Sequence, residues 1–217
     1  MNLRIPLLAV GYVASTALLA HHGEHEAASS ATAPPSMEAA ANPSPKEKAA
    51  RLLFSDRRLI TQHGQEVAFY SDVMRDKVVL INFVFTHCRD SCPMQTSKLS
   101  KVQSLLDGLV GREVHLVSIS VDPERDTPEE LREYAGHFNA GNGWMFLTGS
   151  KENVNEVVRR LGQLTATPES HTTLFILGNV RTGHWIKLHP DVTPAMIANY
   201  LRSLASENST MPGSSTR

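Results

Sequence analysis

The sequence predicts an α/β domain whose mixed, partly parallel sheet is covered by helices on both faces. Three observations predict it. The run Val78 to Phe85 (VVLINFVF) is almost continuously apolar, β-branched and aromatic, as in a strand buried on both faces. Segments of helical and strand periodicity alternate after it. The alternation ends on two strands joined by a turn, followed by a helix.

The elements follow in order. Leu59 to Tyr70 predicts an N-terminal hairpin turning at His63-Gly64. After the central strand, Met94, Leu99, Val102, Leu105, Leu106 and Leu109 recur at helical spacing, and Gly108 and Gly111 end the pattern. Val114 to Val121 (VHLVSISV) alternates as a second strand. Thr127-Pro128-Glu129-Glu130 starts a helix that runs to about Phe138: Thr127 is the N-cap, Pro128 the first helical residue, and Glu130 closes a capping box. Trp144 to Leu147 is a third, short strand. Lys151 to Leu161 places Val154, Val157, Val158 and Leu161 on one helical face. Thr173 to Leu177 and His184 to Leu188 are strands across a turn containing Gly178, Asn179 and Gly183. Thr193 caps a last helix through about Ala205, with Pro194 at its first position. A closing hairpin followed by a helix is the thioredoxin-like arrangement.

The chain has 217 residues, 21 basic against 22 acidic, a net charge of −1 and 41% hydrophobic residues, an ordinary globular composition. Such a balance excludes a broad basic field for nucleic acid, and no nucleic-acid partner is expected. Two cysteines exclude a Cys-rich disulfide scaffold and a four-cysteine zinc site. Four regions are expected: 1–25, a signal peptide or N-terminal membrane anchor; 26–50, a flexible tether; 51–205, the folded domain; and 206–217, a disordered tail. Arg4 precedes an uncharged stretch from Ile5 to Ala20, with the basic start and apolar run of an export signal. At about 1.5 Å per residue that stretch is roughly 24 Å long, short of a ~30 Å hydrocarbon core. Leu18, two residues before Ala20, spoils a small-x-small cleavage site, so an uncleaved anchor stays open beside a cleaved signal. Of the 25 residues from Glu26 to Ala50, 17 are Ala, Pro or Ser, too little apolar surface to offset the ordering entropy. Beyond residue 50 the chain has 18 basic and 18 acidic residues, so membrane contact is expected through the N-terminal segment alone. Export puts the domain in an oxidising compartment, the periplasm, tethered to the inner membrane or released by cleavage.

Both cysteines fall in Phe85-Thr86-His87-Cys88-Arg89-Asp90-Ser91-Cys92-Pro93, between the central strand and the first long helix. A helix N-terminus offers N–H groups and partial positive charge, which favour thiolate. The ends of parallel strands are also where open α/β sheets place their sites. One helical turn separates Cys88 from Cys92, so the two sulfurs can close a disulfide or hold one soft metal ion. A bridge across so short a loop removes little chain entropy, which leaves a purely structural disulfide poorly motivated.

With these residues in view, the chain resembles the Sco/SenC family, membrane-tethered thioredoxin-fold proteins of cytochrome oxidase assembly. Phe85 to Pro93 resembles its F-T-x-C-x-x-x-C-P motif, and Ser120-Val121-Asp122-Pro123-Glu124-Arg125-Asp126-Thr127-Pro128 its S-x-D-P-x-x-D-T-P motif. His171-Thr172 opens the late strand where the family keeps a ligand histidine. The likeness runs from about Leu53 to Leu204. Two positions depart: Arg89 stands where the family has Pro, and Ser170 where it has Asp. The first bears on the redox tuning of the pair. The second removes a carboxylate near the site. Neither removes a ligand.

The resemblance implies that Cys88, Cys92 and His171 bind one copper ion. Two thiolates and an imidazole suit trigonal Cu(I) and can also hold Cu(II). Zinc prefers a fourth ligand, for which His87 is the candidate. It further implies a metallochaperone, rather than an enzyme, delivering copper to the dinuclear centre in the copper-bearing subunit of cytochrome c oxidase. Other copper chaperones and thioredoxin-like reductases are further partners of that reading. The alternative is a thiol–disulfide reductase in which Cys88 and Cys92 are the catalytic pair, acting on the cysteines of the same target. A peroxidase is disfavoured, because Thr86 lies two residues before Cys88 where that pattern needs three. Asp122 and Asp126 are expected to organise the turn before Thr127, with a role near the metal open for Asp122. His21, His22 and His25 form a juxtamembrane patch, and the other histidines carry no motif. Trp144 and Trp185 read as core or rim aromatics.

Overall fold

A computed structural model describes residues 45–210 apart from Asp90 and Thr172. The expected N-terminal segment, most of the tether and residues 211–217 lie outside the described residues. The described chain runs α1 (Pro45–Phe54), β1 (Arg58–Thr61), β2 (Glu66–Ala68), β3 (Val78–Val84), α2 (Ser91–Leu105), β4 (Val114–Ser120), α3 (Pro128–His137), β5 (Trp144–Thr148), α4 (Lys151–Arg160), β6 (Phe175–Asn179), β7 (His184–Leu188) and α5 (Pro194–Thr210).

The strands form one seven-stranded sheet in the order β2-β1-β5-β4-β3-β6-β7. β3, β4 and β5 are parallel, with Val78 opposite Val114 and Leu116 opposite Trp144. The other pairings are antiparallel, so the sheet is mixed, as the sequence predicts.

All seven residues of β3 are buried, because the strand feeds two cores. Val78, Leu80 and Val84 face Leu99 and Val102 of α2, Leu131 of α3 and Ile197, Leu201 and Leu204 of α5. Val79, Ile81 and Phe83 face Val154, Val157 and Val158 of α4, together with Phe69, Val73 and Met74. Period-two alternation under helices on both sides explains why VVLINFV reads as a continuous apolar run.

Capping follows the sequence at α3 and α5, and Ser150 adds an unpredicted cap at α4. The Oγ of Thr127 accepts from Glu130 N at 3.2 Å, that of Ser150 from Asn153 N at 3.3 Å, and that of Thr193 from Met196 N at 3.3 Å.

Several boundaries differ. Gly178 and Asn179 belong to β6 and not to the turn. A Cβ on Gly178 would lie 2.1 Å from the Trp185 ring, so this glycine serves a close approach rather than a bend. The first hairpin ends at Ala68, and Phe69–Met74 forms a π-helical turn. Asp72 Oδ2 accepts Ala68 N at 2.7 Å, and Asp56 Oδ1 accepts Tyr70 N at 3.1 Å and Ser71 N at 2.8 Å.

The tether boundary at Ala50 falls inside α1. That helix gains from tertiary contact what its composition lacks: Phe54 packs on Trp185 at 4.9 Å between ring centroids, and the Arg160 guanidinium bonds the Leu52 carbonyl. At the other end, α5 continues past Ala205 to Thr210. Its Glu207 carboxylate accepts Thr182 Oγ1 at 2.8 Å and lies 2.6 Å from His184 Nδ1, tying the expected tail to the β6–β7 hairpin.

Candidate functional site

The carboxyl ends of β3 and β4, the first turn of α2 and the loop before β6 meet at one rim of the sheet. After β3 the chain turns through Phe85-Thr86-His87-Cys88, closed by Cys88 N donating to Phe85 O at 3.1 Å. A carboxylate from the neighbouring strand connection holds this turn. Asp126, fully buried, accepts Thr86 N at 3.0 Å and Thr86 Oγ1 at 2.7 Å on one oxygen, and Ser120 Oγ at 2.5 Å on the other. Asp126 therefore braces the cysteine turn rather than only the turn before Thr127. Asp122 serves its own turn: its N–H donates to Ser120 Oγ at 3.0 Å, its carbonyl accepts Arg125 N and Asp126 N, and its carboxylate lies 3.6 Å from Arg125. Burial, and next the Asp126 charge, push the Asp122 carboxyl above its usual range.

The two cysteines are in the dithiol form and differ in surroundings. Cys88 is half-buried at the rim, and its Sγ accepts Cys92 N at 3.4 Å, so an amide of the α2 N-terminus is directed at this sulfur. Cys92 is 1% exposed inside the first turn of the helix. Burial, followed by the neighbouring Cys88 sulfur, pushes its thiol up from 9.0 to about 12. A helix-end amide thus reaches the Cys88 sulfur, while desolvation governs the Cys92 thiol.

His171 lies four residues before β6 rather than opening it, because a short 3₁₀ turn at Pro168–Ser170 precedes it. Its ring is buried edge-on against Phe85, with centroids 5.6 Å apart. Nδ1 lies 2.5 Å from the Pro168 carbonyl oxygen, which requires an Nδ1–H donor, so in the neutral ring the lone pair sits on Nε2. Nε2 faces Cys92 Sγ at 3.9 Å.

That separation is long for a hydrogen bond to nitrogen. It suits two donors of one ion: bonds of about 2.3 Å to sulfur and about 2.0 Å to nitrogen, roughly 120° apart, place the donors about 3.7 Å from each other. A backbone acceptor on the far ring nitrogen is also the usual partner of a metal-ligating imidazole. The donor set thus fits a soft ion. Among the described residues, no three His, Cys, Asp or Glu side chains stand close enough together to enclose one as they are. Cys92 is shared between the Cys88 pair and the His171 pair, and closing all three donors on one point requires a shift of the Cys88 turn or of the His171 loop.

A cleft of about 340 Å³ lies behind that loop, lined by Asp122, Lys151, Asn155, Gln163, Thr167 and Glu169 among others. His87, the candidate fourth ligand, is exposed, with Nδ1 3.0 Å from Thr86 Oγ1. His184 and His189 lie beside Glu207 and Asp191, and His137 beside Glu133. His21, His22 and His25 lie outside the described residues. Trp144 is core, donating to Ser118 Oγ at 2.9 Å. Sequence reasoning missed the Asp126–Thr86 brace and the Pro168 carbonyl. The first joins positions 40 residues apart, and the second is a backbone atom.

The SCO1/SenC family profile matches residues 46–206. The chain is 34% identical over 112 residues to "Protein sco1" of Schizosaccharomyces pombe, covering 52% of this chain and 41% of that one. The matched region spans about half the length of the curated relatives. Among solved structures it is similar to Bradyrhizobium japonicum ScoI with copper bound, at 29% identity and TM-score 0.58, covering 68% of this chain and 96% of that one. It is also similar to BsSco, described with a disulfide switch as a member of the Sco family of cytochrome c oxidase assembly proteins, at 26% identity and TM-score 0.58, covering 69% and 91%.

Proposed function

The chain belongs to the SCO1/SenC family, and from that premise we propose that it carries copper as cargo on Cys88, Cys92 and His171. One observation supports this above the others: His171 directs Nε2 at Cys92 Sγ while its Nδ1–H is tied to the Pro168 carbonyl. A histidine kept for core packing has no need of that arrangement. Cys92 and His171 form the buried side of the binding point, and Cys88 the half-buried side. Binding displaces the thiol protons, so uptake strengthens as pH rises. Release runs from the outside: an acceptor's ligands reach Cys88 first and take its place before those of Cys92 and His171. The acceptor in this reading is the copper-bearing subunit of cytochrome c oxidase, met on the outer side of the membrane to which the N-terminal segment delivers the domain.

The test is copper titration of the reduced full chain and of Cys88→Ser, Cys92→Ser and His171→Ala. One tightly held ion per chain, lost in each variant, supports the reading. Full affinity retained by His171→Ala contradicts it.

The unequal burial of the two thiols supports a second reading, disulfide reduction on the same target. The Cys88 thiolate would attack a target disulfide, forming a mixed disulfide and releasing one target thiolate. Cys92 would then lose its proton and attack the Cys88 sulfur, releasing the second. Pure dithiol exchange needs no imidazole, so His171→Ala separates the two readings.

A further inference from the structure

We propose that the outer face of α1 is a docking surface for an anionic lipid bilayer, and that it turns the cysteine–histidine rim away from the membrane. Leu52 and Leu53 are the two most exposed large apolar residues among those described, at 70% and 60%. They are adjacent on a helix that is otherwise anchored: Ala50 and Phe54 pack on the core beneath the sheet, and Phe54 rests on Trp185. A helix held on one side that presents two leucines on the other is the pattern of an interfacial element.

Charge names the occupant. From Lys46 to Arg58 the sequence has five basic residues against two acidic ones, although the domain as a whole is neutral. Lys48 and Arg57 are exposed, and Arg51 lies 3.7 Å from Asp56. The Arg160 guanidinium reaches the Leu52 carbonyl and shares the single Glu156 carboxylate with Arg159. Glu47, Asp56, Glu66, which lies 3.6 Å from Arg58, and Glu156 still leave the surround of the leucine pair net positive. An apolar centre within a basic ring matches an acyl and headgroup boundary rich in anionic lipid. The chain leading to it agrees. Twenty-four residues separate Ala20, the end of the apolar N-terminal stretch, from Pro45, ample to let the helix lie on the same surface.

The orientation follows from strand register. Trp185, under Phe54, pairs with Gly178, which pairs with Val79 at the start of β3. The cysteine turn follows the other end of β3, six residues and roughly 20 Å away. A bilayer touching Leu52 and Leu53 thus meets the end of the domain remote from Cys88. This inference holds whatever the cysteines carry.

The test is hydrogen–deuterium exchange of the full chain, alone and with vesicles of phosphatidylcholine with or without phosphatidylglycerol. Amides of α1 slow severalfold with the anionic vesicles, while those of the cysteine turn and early α2 keep their rates. Leu52→Ser/Leu53→Ser abolishes the slowing, and Lys48→Gln/Arg57→Gln weakens vesicle contact by about fivefold per residue. Both variants keep the copper affinity of the parent. Three outcomes overturn the proposal: α1 rates unchanged by anionic vesicles, slowing that survives the serine pair, or α1 protection that rises with protein concentration in the absence of vesicles, which would mark contact with a second copy. Equal slowing by phosphatidylcholine alone would overturn the anionic-lipid assignment.

Discussion

The cysteine turn is tied to the sheet by a carboxylate forty residues away, whereas the histidine loop is held largely by bonds within itself. Thr86 meets Asp126 through both its amide and its hydroxyl, and Ser120 adds a third donor from β4. His171 rests on Pro168, three residues earlier, and the turn that carries Pro168 is closed by Ser170 N on Thr167 O at 3.1 Å and by the Thr167–Ser170 hydroxyl pair at 3.0 Å. A brace between strands fixes position against the whole fold. A local turn fixes ring orientation but leaves the loop able to move as a unit. The resulting site has its donors in two pairs, Cys92 with His171 at 3.9 Å and Cys92 with Cys88, the first held on one side by a local turn and the second by a brace to the sheet.

Four substitutions or conditions break or sharpen that contrast. Asp126→Ala has the largest effect. It leaves Thr86 N–H, Thr86 O–H and Ser120 O–H without their buried acceptor and lowers stability by about 3 kcal/mol, read from urea unfolding. An unchanged midpoint would show that the brace carries no load. His171→Ala does the opposite. Its stability stays within about 1 kcal/mol, while copper affinity falls by about 100-fold or more, beyond the loss usual for an outer partner of a ligand. Competition with a copper chelator measures it.

The third test is pH. The Cys92 thiol is raised from 9.0 to about 12 by burial, so between those values the folded dithiol chain holds a proton that the unfolded chain has released. Its contribution to stability is fully present below pH 9 and is lost as pH climbs toward 12. Unfolding of the reduced chain across that range follows this slope, and Cys92→Ala flattens it. Ser170→Ala is the mildest change. It removes one exposed hydroxyl contact from the histidine turn and weakens copper binding by a few-fold, up to about tenfold, leaving the unfolding midpoint in place.

What the sequence disclosed follows the same division. The periodicity of VVLINFV and VHLVSIS and the Thr127-Pro128 cap mark the sheet and α3, because alternation and capping are local properties. The cysteine pair is legible for the same reason: four positions, one helical turn, after a buried strand. His171 is visible only through resemblance, since nothing in its own neighbourhood separates it from nine other histidines. The Asp126–Thr86 brace is invisible, as a contact between distant positions leaves no local pattern. α1 hid within Ala- and Pro-rich composition because its helix is stabilised by Trp185 and Arg160 from far along the chain. Gly178 misled because glycine serves both turns and close contacts, and here the contact is the Trp185 ring.

Copper-edge X-ray absorption of the loaded chain tests the convergence of these donors most directly. Two sulfur scatterers and one imidazole, with the imidazole signal lost in His171→Ala, are the predicted result. A shell of sulfur alone, or an imidazole signal that His171→Ala leaves intact, would contradict the three-donor site.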